Sequence, residues 1–67
     1  MVQIKVNGQS EIVETNLSLG QFIADKKLTR GTIAVEYNRR IIPENEWCGI
    51  FMNENDSIEI VSFMGGG

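Results

Sequence analysis

Hydrophobic residues recur at two spacings along this chain, and the switches between them mark the elements. Val2, Ile4 and Val6 alternate with Gln3 and Lys5, the period of two that belongs to a strand with one buried face. Asn7-Gly8 follows. Both central residues of a tight hairpin turn need positive φ, so the pair predicts a β-hairpin. The return strand covers roughly residues 9–14, and its apolar pair Ile12 and Val13 is adjacent, which leaves the inward one open. Helical spacing then takes over. Ser18 is an N-cap candidate with Gln21 at capping-box distance, and Leu17 and Phe22 stand at hydrophobic-staple distance. Leu19, Phe22 and Ile23 form one apolar stripe on a helix expected over residues 19–27. Lys26 and Lys27 suit its negative end, and Gly31 lies just beyond. Thr32 to Tyr37 returns to period two, with Ile33, Val35 and Tyr37 in phase. After the turn at Asn38-Arg39-Arg40, Ile41-Ile42 predicts a brief edge strand, because Pro43 withholds a ladder donor. Residues 44–48 read as one helical turn or a loop, and residues 53–56 as a turn rich in asparagine. The last run, Ser57 to Phe63, is β-branched and aromatic and predicts a strand. Met64 and three glycines follow it.

A hairpin, one helix and further strands ending in an apolar one predict an α+β domain with the helix on one face of a mixed sheet of four to five strands. Of the few topologies this pattern allows, the natural closure places the final strand beside the first, parallel and central, which is the β-grasp or ubiquitin-like arrangement. Ile58 and Ile60 then face the helix, against Ile4, Phe22 and Ile23. Alternation turns Glu59, Val61 and Phe63 to the open side. With Met64 beside them, these residues are the expected partner-docking face. Residues 1–63 form the expected domain and residues 64–67 a flexible glycine tail, since glycine loses most entropy on ordering.

Composition narrows the chemistry. The 67 residues suffice for one domain with a small core, and 42% hydrophobic with 22% charged residues is ordinary for a folded protein. A net charge of −3 gives the chain no general attraction to nucleic acid or to anionic membranes. No apolar run approaches the roughly 20 residues of a membrane span, and the start lacks the layout of a signal peptide, so a cytoplasmic monomer is expected. There is no histidine and one cysteine, which leaves no imidazole base, no Cys–His pair and no multi-cysteine metal site. No phosphate-binding glycine loop is present. Glu44 and Glu46 beside Pro43 read as a solvated turn. Lys26, Lys27, Arg30, Arg39 and Arg40 read as solvated or capping residues ahead of a docking patch. Cys48 reads as a small, partly buried hydrophobe and Trp47 as core filler. The distinctive reactive group left is the Gly67 carboxylate, presented on Gly65 and Gly66, and the chain is not expected to be an enzyme.

Val35-Glu36-Tyr37-Asn38-Arg39, Ile42-Pro43, Trp47, Asp56-Ser57-Ile58-Glu59-Ile60-Val61 and the Gly-Gly end together resemble the ThiS family of thiamine-pathway sulfur carriers, over essentially the whole chain. Family members usually carry Gly-Asp before the last strand, where Asn55-Asp56 stands here, and many end in two glycines rather than three. The resemblance implies that a ThiF-type adenylyltransferase, using ATP and Mg, adenylates Gly67. A cysteine desulfurase system then supplies sulfur, and the resulting thiocarboxylate donates it to a ThiG-type thiazole synthase. It implies no cofactor bound by this chain. Two alternatives stand beside it: a sulfur carrier for molybdopterin or tRNA thiolation, and a β-grasp interaction module whose glycines do no chemistry.

Overall fold

The computed structural model describes residues 1–28 and 30–63, Arg30 by its backbone alone. Strands β1 (Val2–Val6) and β2 (Gln9–Val13) form the expected hairpin. Asn7 and Gly8 take φ of 51° and 84° in its two-residue turn, and such a turn fixes the register. Val13 therefore pairs with Val2 and is buried, while Ile12 pairs with Gln3 on the other face and is exposed. Helix α1 (Leu19–Asp25) begins at Ser18, whose Oγ accepts the Gln21 N–H at 3.0 Å. Only half of the capping box forms, because the Gln21 side chain runs forward to Asp25 Oδ1 at 2.8 Å. The helix also stops two residues earlier than expected. Lys26 is its C-cap and Lys27 takes the left-handed position after it, with φ of 60°, so Gly31 has no part in ending it.

After a 3-10 turn at Arg30–Thr32 come β3 (Ile33–Tyr37) and β4 (Arg40–Ile41). Asn38 and Arg39, with φ of 50° and 72°, make a second two-residue hairpin turn between them. Strand β4 thus starts one residue before the expected Ile41-Ile42, and Ile42, whose N–H still donates to the Val35 carbonyl at 3.0 Å, turns into the core. A 3-10 helix at Glu44–Gly49 carries Trp47 inward, where its Nε1 donates to the Ile42 carbonyl at 2.9 Å. The final strand, β5 (Ser57–Ser62), lies in the middle of the sheet order β2-β1-β5-β3-β4. It runs parallel to β1 and antiparallel to β3.

The core fills the space between sheet, helix and Trp47. Ile4, Leu19, Ile23, Val35, Trp47, Met52 and Ile58 are all but inaccessible, with Phe22 against them and Ile60 at the margin. A seven-residue helix is too short to persist alone, so α1 exists because its stripe is covered. Burial of each such side chain contributes about 1.5–3 kcal/mol, a large share of the stability of so small a domain.

Candidate functional site

Two parts of the molecule meet at the C-terminal end of β5: the open face of the sheet and the root of the tail. Ile58 is fully buried against the helix, so Glu59, Val61 and Phe63 project from the opposite face. Val61 is 58% and Phe63 65% exposed. Register extends this surface across the neighbouring strands. Ala34 lies opposite Val61, Glu36 opposite Glu59, and Ile41 opposite Glu36. Ile41 is as exposed as Phe63. The result is an apolar strip, Ile41, Ala34, Val61 and Phe63, crossed by two carboxylates that face each other. Like charges directly opposite on a sheet are mildly destabilising, and neither carboxylate is in an ion pair among the described residues. Exposed apolar residues gathered beside a strand end mark an interaction surface more often than chance. The fourth residue expected there, Met64, and the tail residues Gly65, Gly66 and Gly67 lie outside the described residues.

The root of the tail is held from both sides. On the β3 side, the Phe63 N–H donates to the Thr32 carbonyl at 2.9 Å. On the β1 side, the Ile60 N–H donates to Asn7 Oδ1 at 2.8 Å, and Asn7 Nδ2 reaches the Ile60 carbonyl at 3.4 Å. Sequence reasoning missed this second role of Asn7, because the turn alone accounts for an asparagine there.

The start of β5 is tied by a polar cluster that also escaped the sequence. Asp56 accepts hydrogen bonds from the Tyr37 hydroxyl, from Asn38 Nδ2 at 3.1 Å and from the Asn53 N–H at 2.7 Å. Asn38 Oδ1 accepts the Ser57 N–H at 2.8 Å. Burial raises the Asp56 carboxyl, but the bonds from Tyr37, Asn53 and Asn38 together outweigh it and hold the group below the ordinary aspartate range. Burial first, then the bond to Asp56 and its charge, push the Tyr37 hydroxyl well above its ordinary value.

Two of the basic residues of 26–40, Lys26 and Arg40, lie apart. Lys26 pairs with Glu11 at 2.7 Å and lies 5.0 Å over the Phe22 ring, near the hairpin. Arg40 pairs with Tyr37, which lies beside Ile58 at the start of β5, the far end of β3. The expectation for Cys48 is corrected: it is exposed, since Trp47 takes the inward position of its short helix. Its Sγ nevertheless crowds Gly20, where an added Cβ would lie 2.7 Å from it. Among the described residues no group of three or more side chains could hold a metal ion, and no helix is long and apolar enough to cross a membrane.

A mixed sheet in this strand order, crossed by one helix, belongs to the β-grasp or ubiquitin-like class. Among solved structures, that of thiamine biosynthesis protein ThiS from Geobacter metallireducens superposes with a TM-score of 0.83 at 23% identity, over 98% of this chain and 100% of that one. At that identity the likeness shows the fold. The sequence matches the ThiS family over residues 2–67, and the chain belongs to that family. It is 26% identical over 66 residues to a thiazole synthase of Paramagnetospirillum magneticum, covering 98% of this chain and 20% of that protein. The chain thus spans about a fifth of the length of that relative. It is 29% identical over 66 residues to the uncharacterized protein ycf40 of Porphyra purpurea, covering 98% of this chain and 93% of that one.

Proposed function

We propose that the chain is the sulfur carrier for thiazole formation in thiamine biosynthesis, and that it bears sulfur as a thiocarboxylate on Gly67. The observation that carries this reading is membership of the ThiS family over a match that includes Gly65, Gly66 and Gly67. A carboxylate with a pKa of about 3.5 is ionised at neutral pH but is a poor nucleophile unless it is positioned. A ThiF-type adenylyltransferase supplies that position together with ATP and Mg. The Gly67 carboxylate attacks the α-phosphorus, pyrophosphate leaves, and an acyl-adenylate forms. The terminal sulfur of a persulfide on a cysteine desulfurase system attacks the acyl carbon and expels AMP, which gives an acyl disulfide. A thiol then cleaves its S–S bond, so that the thiocarboxylate stays on Gly67 and the donor's sulfur leaves in a new disulfide. A thiazole synthase of the ThiG type then takes the sulfur. Relatives named thiazole synthase contain a region matching this chain, which favours that synthase as partner over a molybdopterin or tRNA acceptor. The strip formed by Val61, Phe63, Ala34 and Ile41 serves as the docking face, with Glu36 and Glu59 open to a basic group of the partner.

The test is intact-mass measurement after incubation with the adenylating enzyme, ATP and a sulfur source, with fragmentation to locate a sulfur-for-oxygen exchange. Label is expected on Gly67. Cys48→Ser should accept sulfur normally. Deleting Gly67 sets the reactive carboxylate back by about 3.3–3.6 Å, and a misplacement near 1 Å already costs about 10²-fold in a positioned reaction, so transfer should collapse. Sulfur on Cys48 with Gly67 unmodified would overturn the reading.

A further inference from the structure

We propose that Asn7 is a positioning residue for the reactive end of the chain: its carboxamide takes the place of the next rung of β1 and fixes where β5 leaves the sheet. This rests on the carrier reading above.

The backbone of β1 turns away too early to hold all of β5. Val6 pairs with Ile58, and the chain then enters the hairpin turn, while β5 continues to Ser62. On that side of β5 the even-numbered residues present their peptide groups. The Asp56 carbonyl accepts the Lys5 N–H at 2.9 Å and the Ile58 carbonyl accepts the Asn7 N–H at 2.9 Å. Next comes Ile60, opposite which β1 has no backbone left. The Asn7 side chain fills that position, accepting from the Ile60 N–H through Oδ1 and donating to its carbonyl through Nδ2. A side-chain amide has the donor and acceptor of a peptide unit, so it completes the ladder by one step. Beyond that step, among the described residues, β5 is held from β3 alone, through the Ser62–Ile33 pairing and the Phe63 N–H.

Asparagine meets two demands here. Its φ of 51° is left-handed, a conformation that Asn, Asp and Gly adopt most readily. Of these three, only Asn offers both a neutral acceptor and a donor. Gly8, the other half of the turn, has open space around it and carries no such duty.

Three variants separate the clamp from the turn and from general stability. Asn7→Gly keeps the turn and removes the clamp, Asn7→Asp keeps the acceptor and loses the donor, and Val13→Ala weakens the hairpin elsewhere. Amide hydrogen exchange and steady-state charging by the adenylating enzyme are measured on each. In Asn7→Gly, exchange at Ile60 should quicken about 10-fold or more relative to Ile4 and Val35, since local opening is read residue by residue. Charging should lose about 3- to 10-fold in kcat with little change in KM, as docking contacts remain while the reacting end is misplaced. Asn7→Asp should fall between, and Val13→Ala should move neither ratio. Unchanged protection at Ile60 in Asn7→Gly, full kcat despite lost protection, or the same kcat loss in Val13→Ala would each overturn the proposal. A wild-type chain that accepts no sulfur at all sinks the carrier reading instead, and the exchange arm alone then decides whether Asn7 holds the strand end.

Discussion

Tyr37 and Asp56 are hydrogen-bonded to each other, and among the described residues they are the two groups whose ionisation the fold clearly shifts. Asp56 ionises more readily in the fold than in the unfolded chain. Its contribution is therefore present above the unfolded value near 3.9 and is lost as pH falls through the lower folded value. Tyr37 gives up its proton less readily in the fold. Its contribution is full below the unfolded value near 10 and is lost as pH rises above it. Urea unfolding across pH should show both limbs in the wild type. Tyr37→Phe should flatten the alkaline limb and Asp56→Asn the acid one, each at a cost of about 1–2 kcal/mol at neutral pH, discounted for partial exposure. Gly20 makes a different kind of contact. It is buried at the start of α1, and a Cβ there would also meet the Cys48 Cα and N at 3.3 Å. Gly20→Ala should destabilise despite the better helix propensity of alanine, because overpacking by one carbon costs about 1–3 kcal/mol against a gain near 1. The loss should shrink in a Cys48→Ala background, and equal losses in both backgrounds would refute the contact.

Each element shows what its sequence could and could not disclose. The first hairpin, the helix stripe and β5 follow from turn chemistry and spacing, because each buries one face. Strand β4 does not, since it is Arg40–Ile41, exposed throughout, rather than the expected Ile41-Ile42. Even Val13 over Ile12 was within reach, since a two-residue turn after Val6 obliges Val13 to pair with Val2. The end of α1 was not. Lysine at a left-handed position leaves no compositional mark, and Gly31 drew attention to the wrong residue. Lys27→Gly should raise stability by about 0.5–1 kcal/mol, since it relieves the Cβ penalty and gives back part of the gain as unfolded-state entropy. Thermal unfolding checks this, and a loss of stability would mean that the Lys27 side chain contributes more than its strain costs. Cys48 misled for a related reason. Burial statistics for a residue type say nothing about which of two neighbours a short helix turns inward, and Trp47 takes that place. At the site, exposure of Val61 and Phe63 followed from alternation. The clamp at Asn7 and the cluster at Asp56 did not, because both join residues far apart in sequence through side chains whose local roles already sufficed.

Taken whole, the molecule has two ends with separate duties. Of the residues that distinguish it in sequence, Tyr37-Asn38 and Asp56-Ser57 lock the end remote from the tail through hydrogen bonds, while Trp47 and Ile42 are hydrogen-bonded to each other in the core. The end that carries the tail offers apolar surface instead. Phe63→Asp should fold as stably as the wild type, within about 0.5 kcal/mol, as surface changes do. It should bind the adenylating enzyme at least about 30-fold more weakly, the loss of one hot-spot side chain. Calorimetric titration decides it, and unaltered affinity would remove Phe63 from the docking face.

The central place of β5 has a mechanical side. A partner that draws the tail into a pocket pulls on this strand along its own axis. Hydrogen bonds between strands lie across that axis, so the rungs to β1 and to β3 are loaded together, in shear, with the Asn7 amide as the outermost fastening on one flank. An edge strand pulled the same way has neighbours on one side only. Tension applied at Phe63 is thus shared by the middle of the sheet, and the domain can be towed by its tail without being peeled apart.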